Sequence, residues 1–344
     1  MTHPYRVFIS YSHEDTDLAQ ITAEALAGMG LIPVWDKAIR PGTPFTEAIK
    51  EFIHHAHIFM PIITENASRR PWVHQETGYA MALNIPILPI AVDSVPGEMA
   101  AQLQAVVVRE NFADFAERIQ AVDLELVVSQ LPGTSFHNIE VTSYAENRTE
   151  MLARCAQRVM ELGAFGRVRQ RAALSSFSIP DKIPSDPIWA KRDGDFAHSS
   201  FYHNLLRNER RSLEQHVLRA GCDLIIDPEF SLERNGPLAT RTRLEILCKF
   251  LESMRDDQIR VVMTPQAREA NLTIVGDWFS AESMSPKPGE GHRQTVFTWH
   301  APSVLQTLRR FDDEFEDLLG ESEVKPDKTR QAALQRIREV ISHQ

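Results

Sequence analysis

RPWVHQETGYAMALNIPILPI, residues 70–90, sets a helix signal and a buried-strand signal back to back, with one acid inside the helix. The spacing predicts a helix from 72 to 83, on which Trp72 and Glu76, four apart, share one face. Asn84 breaks that helix. The run IPILPIAV that follows has the continuous apolar character of a strand buried on both faces of a parallel sheet. A carboxylate in so apolar a stretch is costly to hold unless it has water beside it or work to do. An aromatic plate and an acid on one helical face, beside a parallel sheet, suit the binding and cleavage of something flat and positively charged.

The sequence around this stretch alternates strand and helix. Residues 5–12, YRVFISYS, read as the first strand, and DTDLAQITAEALAGMG as an amphipathic helix, with Asp15 or Thr16 as N-cap and Gly30 as its stop. LIPVWD is a second strand, KAIRPGTPF a loop, TEAIKEFIHHA a helix and HIFMPII a third strand. TENASRRP leads into the helix of Glu76, a fourth strand falls at 85–92, and AVVVRE at 105–110 is a short fifth strand before the helix FADFAERIQAV. This order predicts an open parallel sheet covered on both faces. The expected division is a first domain over 1–133, a helical extension and linker over 134–195, a second α/β domain over 196–320, and a charged helical tail over 321–344. The linker assignment rests on SSFSIPDKIPSDPIWAKRDGD, rich in Ser, Pro and Asp.

Composition narrows the function classes. A chain of 344 residues has room for two ordinary domains. The net charge of −10 argues against a generally basic nucleic-acid binder. Cys155, Cys222 and Cys248 are too far apart to form a metal-like pair and read as reduced core thiols, which points to a cytoplasmic protein. No secretory signal pattern opens the chain, and no apolar run reaches the roughly 18 residues that would suggest a membrane span. His54, His55 and His57 do not put three ligands on one helical face, so solvated helix-end histidines are expected and no metal. GAFGR lacks the glycines and the Lys-Ser/Thr of a phosphate loop, and no Ser-His-Asp order is identifiable.

Three blocks carry a family resemblance. FISYSHED, the RPG of WDKAIRPGTPF at 40–42, and WVHQE occur in order over residues 5 to 125, and together they resemble a TIR (Toll/interleukin-1 receptor) domain. WVHQE is similar to the Trp-x-x-x-Glu pattern of TIR domains that cleave NAD+. The Phe-Trp third box of animal adaptors is not visible, which turns the resemblance toward prokaryotic enzymatic members. The resemblance implies a flavodoxin-like five-stranded parallel sheet with ligands beyond the carboxyl ends of the strands. It also implies NAD+ as substrate rather than cofactor, and activity that depends on self-association through the RPG loop. Defence proteins that deplete NAD+ or make an ADP-ribose signal are the members it resembles.

The residues support the same chemistry. The nicotinamide of NAD+ is a cationic pyridinium that departs neutral, so its leaving needs no general acid of the kind a glycosidase pair supplies. One carboxylate suffices to hold ribose hydroxyls and to stabilise the developing oxocarbenium charge. Glu76 is the expected catalytic residue, with Trp72 as a wall of the nicotinamide–ribose pocket. Phe8, Ser10 and Ser12 around the end of the first strand, and Trp35, Asp36 and Arg40 around the second, are candidate substrate contacts. Arg40 has the geometry to meet a pyrophosphate as a bidentate donor. The bland alternatives are a packed Trp72, a solvated Glu76, a Trp35 that closes a strand end, an Asp36 that caps a loop and a solvated Arg40.

The C-terminal half says less. Its order of elements resembles a phospholipase-D-like half domain, but the His-x-Lys signature of that family is absent. Asp277, Trp278, Glu282 and Ser283 are placed at a strand end where a ligand site would lie, and His300 reads as a packed or capping histidine. The clusters Arg167, Arg169, Arg171 and Arg207, Arg210, Arg211 are expected on a solvated face. This half is assigned to sensing an unknown trigger. Two rivals to an NAD+-cleaving effector remain: a non-enzymatic scaffold acting through TIR–TIR contacts, and an effector triggered by nucleic acid.

Overall fold

The computed structural model describes residues 4–35, 45–68, 71–92, 105–109, 112–129, 139–181, 200–229, 237–284, 294–322 and 324–343. The chain divides into two compact units, one of residues 1–139 with Trp299–Ser303, the other of 140–298 and 304–344.

The first unit runs β1 (Arg6–Ser10), α1 (Thr16–Gly28), β2 (Ile32–Val34), α2 (Phe45–His54), β3 (Ile58–Ile63), α3 (Glu65–Ser68), α4 (Pro71–Ala82), β4 (Ile90–Val92), β5 (Val106–Val108), α5 (Phe115–Gln120) and α6 (Leu124–Ser129). Its sheet has the order β2-β1-β3-β4-β5, and every pairing is parallel. This is the expected flavodoxin-like arrangement, and β1 with β3 forms the point at which the strand order reverses. Alternation along β1 sends Phe8 and Ser10 to one face and Val7 and Ile9 to the other. On the first face Phe8 packs with Phe59, with Ile49 and Ile53 of α2, four apart, with Ala80 of α4 and with Leu83 just past its end. Each buried Phe, Ile or Leu side chain among them contributes roughly 1.5–3 kcal/mol.

The ends of two helices fix the loops that matter. α1 stops at Gly30 (φ 80), with Leu31 N–H donating to Leu26 O and Gly30 N–H to Ala27 O. That is a Schellman end, and its left-handed residue is a glycine, as expected. α4 ends in the same way around Asn84 (φ 54): Ile85 N–H donates to Ala80 O and Asn84 N–H to Met81 O. Asparagine is the residue other than glycine that most readily takes this conformation.

The second unit runs β6 (Ile139–Thr142), α7 (Ala145–Glu161), β7 (Val168–Ala172), α8 (Ser200–Ala220), β8 (Cys222–Ile226), α9 (Pro237–Ser253), β9 (Ile259–Met263), β10 (Ala270–Val275), β11 (Phe279–Met284), β12 (Gln294–Thr298), α10 (Ala301–Glu321) and α11 (Thr329–Ser342). Ile139 and the start of α10 fall in the first unit. The sheet order is β6-β12-β11-β10-β7-β8-β9, with β7, β8 and β9 parallel and β10, β11 and β12 antiparallel. Two expectations change here. The basic stretch placed in an extension is β7, which bonds β8 and β10 inside this sheet. NLTIVGDWF, read as one strand, is a hairpin that turns at Gly276 (φ 54).

Among the described residues, no helix is long and apolar enough to cross a membrane. The three thiols are unpaired: Cys222 and Cys248 are buried and Cys155 half-buried. Burial pushes Cys155 up to about 12 and Cys248 up to about 11, which removes thiolate reactivity at neutral pH.

Candidate active site

α4 begins at Pro71, where a missing N–H costs nothing, and one turn later presents Glu76 to the carboxyl edge of the sheet. Ser10 ends β1, opposite Pro61 of β3. Its Oγ donates to Glu76 Oε2 at 2.5 Å, between residues 1% and 7% exposed. The acid is therefore not a solvated helix residue: it is enclosed at the β1/β3 switch point and accepts a hydrogen bond from the strand that opens the fold. Trp72 shares its helical face and packs, half-buried, against the Phe8 core.

The loops after β1, β2 and β3 meet along the same edge. Tyr11 lies against Trp35, ring centroids 5.9 Å apart, so the end of β2 is tied to the end of β1. Ser12 is buried, and its carbonyl accepts from Asp15 N–H at 2.7 Å. Asp15 precedes α1, but its side chain makes no capping bond. Instead its carboxylate accepts from Thr64 Oγ at 2.6 Å and from Asn66 Nδ2 at 3.1 Å, which braces the loop after β1 against the loop after β3. Thr64 Oγ in turn accepts from Ala67 N–H at 3.0 Å. The sequence marks Asp15 only as a cap, and nothing in it singles out Thr64 or Asn66; a polar pair directly after a buried strand is the one available signal.

The structure thus brings Glu76, Ser10, Ser12 and Trp35 to one edge. Phe8 is a core side chain, stacked on Phe59 with centroids 5.7 Å apart, and packing accounts for it. Asp36 and Arg40, with the RPG loop, lie outside the described residues. The histidines are not solvated as expected. His57 is fully buried and accepts Arg6 N–H on Nδ1 at 2.9 Å, while the half-buried His54 ring meets Tyr79, centroids 5.8 Å apart. Among the described residues no group of three His, Cys, Asp or Glu side chains could hold a metal ion.

In the second unit, Asp277 and Trp278 sit in the turn between the end of β10 and the start of β11. Glu282 lies within β11 and pairs with Arg310 at 3.1 Å, and Ser283 shares a buried hydrogen bond with Thr295. The arginine cluster on and before β7 is neither solvated nor open to phosphate. Arg167 holds Asp223 through two 2.7 Å bonds, Arg169 pairs with Asp312 at 2.5 Å and Arg171 with Glu314 at 3.1 Å. Arg210 pairs with Glu214 at 2.6 Å. A cleft of about 390 Å³ opens beyond β8 and β9, lined by Asp227, Glu229, Met263, Thr264 and Arg336 among others. There Arg336 meets Glu229.

Residues 7–122 match the family model described as the TIR domain. No curated protein matches the chain.

Proposed function

We propose that this chain, whose residues 7–122 match the TIR-domain model, cleaves NAD+ at the nicotinamide–ribose bond. Glu76 is its catalytic carboxylate. The observation that carries this reading is the placement of Glu76: enclosed, hydrogen-bonded to Ser10, and set at the strand-order reversal of an all-parallel sheet.

In the reaction the carboxylate, oriented by the Ser10 hydroxyl on Oε2, takes ribose hydroxyls and faces the positive charge that grows on the sugar as nicotinamide leaves. Trp72 and Trp35 flank the ring-binding side. Water or a nucleophile of the nucleotide itself captures the sugar, giving hydrolysis or cyclisation. Because Glu76 is nearly closed off, the isolated monomer has low activity, and self-association through the TIR domain opens the site. On this reading the protein is a cytoplasmic immune-type effector, and its second unit senses the trigger. A Glu76 facing bulk solvent would have favoured a scaffold without activity; the residue is 7% exposed.

The test follows nicotinamide release from NAD+ at rising protein concentration. Wild type releases it, with rate per chain climbing as the protein associates, and Glu76→Ala lowers the rate by at least about a hundredfold. Equal rates for the two proteins reject the assignment, and chromatography of the products separates hydrolysis from cyclisation.

A further inference from the structure

The first unit is not contiguous in sequence. Trp299–Ser303 belongs to it, although β12 ends at Thr298 immediately before and the chain from Val304 on belongs to the second unit. His300 in this segment is 1% exposed, so its ring polar atoms need partners. Nε2 lies 3.2 Å from the carbonyl oxygen of Asn84, and Nδ1 lies 2.7 Å from Ser303 Oγ. A carbonyl only accepts, so Nε2 carries the proton, and Nδ1 accepts from the serine hydroxyl. Burial pushes the imidazole below its ordinary value; the bond to Asn84 opposes this and His54 adds to it, so the ring is neutral at neutral pH.

Asn84 is the left-handed residue that closes α4, the helix that carries Glu76 two turns earlier. Its N–H is used in the Schellman end, and its carbonyl points out of it. We infer that Trp299–Ser303 is a regulatory latch on the Glu76 helix: His300, held by Ser303, fixes the end of α4 by bonding Asn84. This rests on the reading of Glu76 as the catalytic carboxylate for its consequence, but not for its geometry. The segment is continuous with β12 on one side and with the rest of α10 on the other. A change of tension in either element reaches α4 through the five residues between them. An engaged latch holds α4 in the register that keeps Glu76 on Ser10; a released latch lets the helix end fray and the acid move.

Amide hydrogen exchange on the full chain, with nicotinamide release measured on the same samples, tests this. His300→Ala is expected to speed exchange at Ala80–Ile85 by about three- to tenfold, the range of one lost hydrogen bond, while β8 and β9 peptides stay unchanged. His300→Gln, which restores an N–H donor, returns exchange toward wild type. Unchanged exchange at Ala80–Ile85 in His300→Ala overturns the latch. Should alanine unfold the whole chain, Ser303→Ala, which frees only Nδ1, decides: faster exchange in α4 supports the latch and wild-type exchange overturns it. If wild type releases no nicotinamide yet the exchange responds, the latch stands and the NAD+ reading falls. If release is robust and the exchange is silent, the reverse holds.

Discussion

At the scale of single residues, the site turns on what each carboxylate accepts. Glu76 takes the Ser10 hydroxyl, and Asp15 takes Thr64 and Asn66. Ser10→Ala should lower kcat/KM for nicotinamide release by about ten- to a hundredfold, the range for a bond to a charged group. Its thermal midpoint should fall only by the few degrees that about 1–3 kcal/mol implies, which a melting curve beside the assay will show. An unchanged rate would make Ser10 a packing residue. Glu76 stands out in the sequence through the resemblance of WVHQE to the Trp-x-x-x-Glu pattern; alone, an acid on a helix reads most often as solvated. The sequence suggests Ser10 as a substrate contact, and the structure places its hydroxyl on Glu76. Asp15 was read as a cap because Asp before a helix is most often one; its true partners stand 49 and 51 residues away, and no local pattern encodes that distance.

At the scale of elements, the parallel strands and the helices between them follow from periodicity, and their ends follow from stop residues. Gly30 and the Asn84 break mark two helix ends that the structure closes with the same bonds. At Asn84, alanine must enter a left-handed backbone that costs roughly 1–2 kcal/mol, whereas glycine enters freely. Asn84→Ala is therefore expected to lower the unfolding midpoint of the first unit and Asn84→Gly to leave it within about half a kcal/mol, measured by urea titration with a tryptophan signal. Equal losses from both would mean that the asparagine side chain, not its backbone, holds the turn. The basic stretch at 167–171 misled in the opposite direction. Three arginines at alternate positions look like a solvated face, but a strand with period two sends them all to one side, where Asp223, Asp312 and Glu314 wait. Their partners come from other elements, so charge pattern alone could not distinguish a buried ion-pair row from a surface one. NLTIVGDWF reads as one strand because its apolar run is nearly continuous; the turn hides in a single glycine with positive φ.

At the scale of the whole molecule, titrations set the pH range of stability. Burial pushes His216 below its ordinary value of 6.5, although its bond to Ala156 O opposes this, and burial likewise lowers His203 and His300. As pH falls through about 6.5 the unfolded chain takes up protons that the folded chain refuses, so stability declines until the lowered folded values are reached. Burial alone would raise Asp223, but the guanidiniums of Arg167 and Arg260 outweigh it and hold its carboxyl below the usual range. Its contribution is complete above the unfolded carboxylate value of about 3.9 and is lost only as pH falls through the lower folded one. Thermal midpoints measured from about pH 8 to pH 5 should therefore fall on the acid side because of the histidines, with the Asp223 pairing intact; a flat profile would contradict this. Asp223→Ala leaves Arg167 on the Ala220 and Cys222 carbonyls and Arg260 on Glu316 and should cost the second unit about 1.5–3 kcal/mol, the range for hydrogen bonds to a charged group, seen as a lower denaturation midpoint at every pH in that range. The return of Trp299–Ser303 to the first unit has one more consequence, which belongs to synthesis. Asn84 leaves the ribosome 216 residues ahead of the histidine that meets it. The parallel sheet can assemble while translation continues, yet the helix with the acid waits for 216 further residues before its end is secured, so a product truncated before His300 carries that helix unfastened.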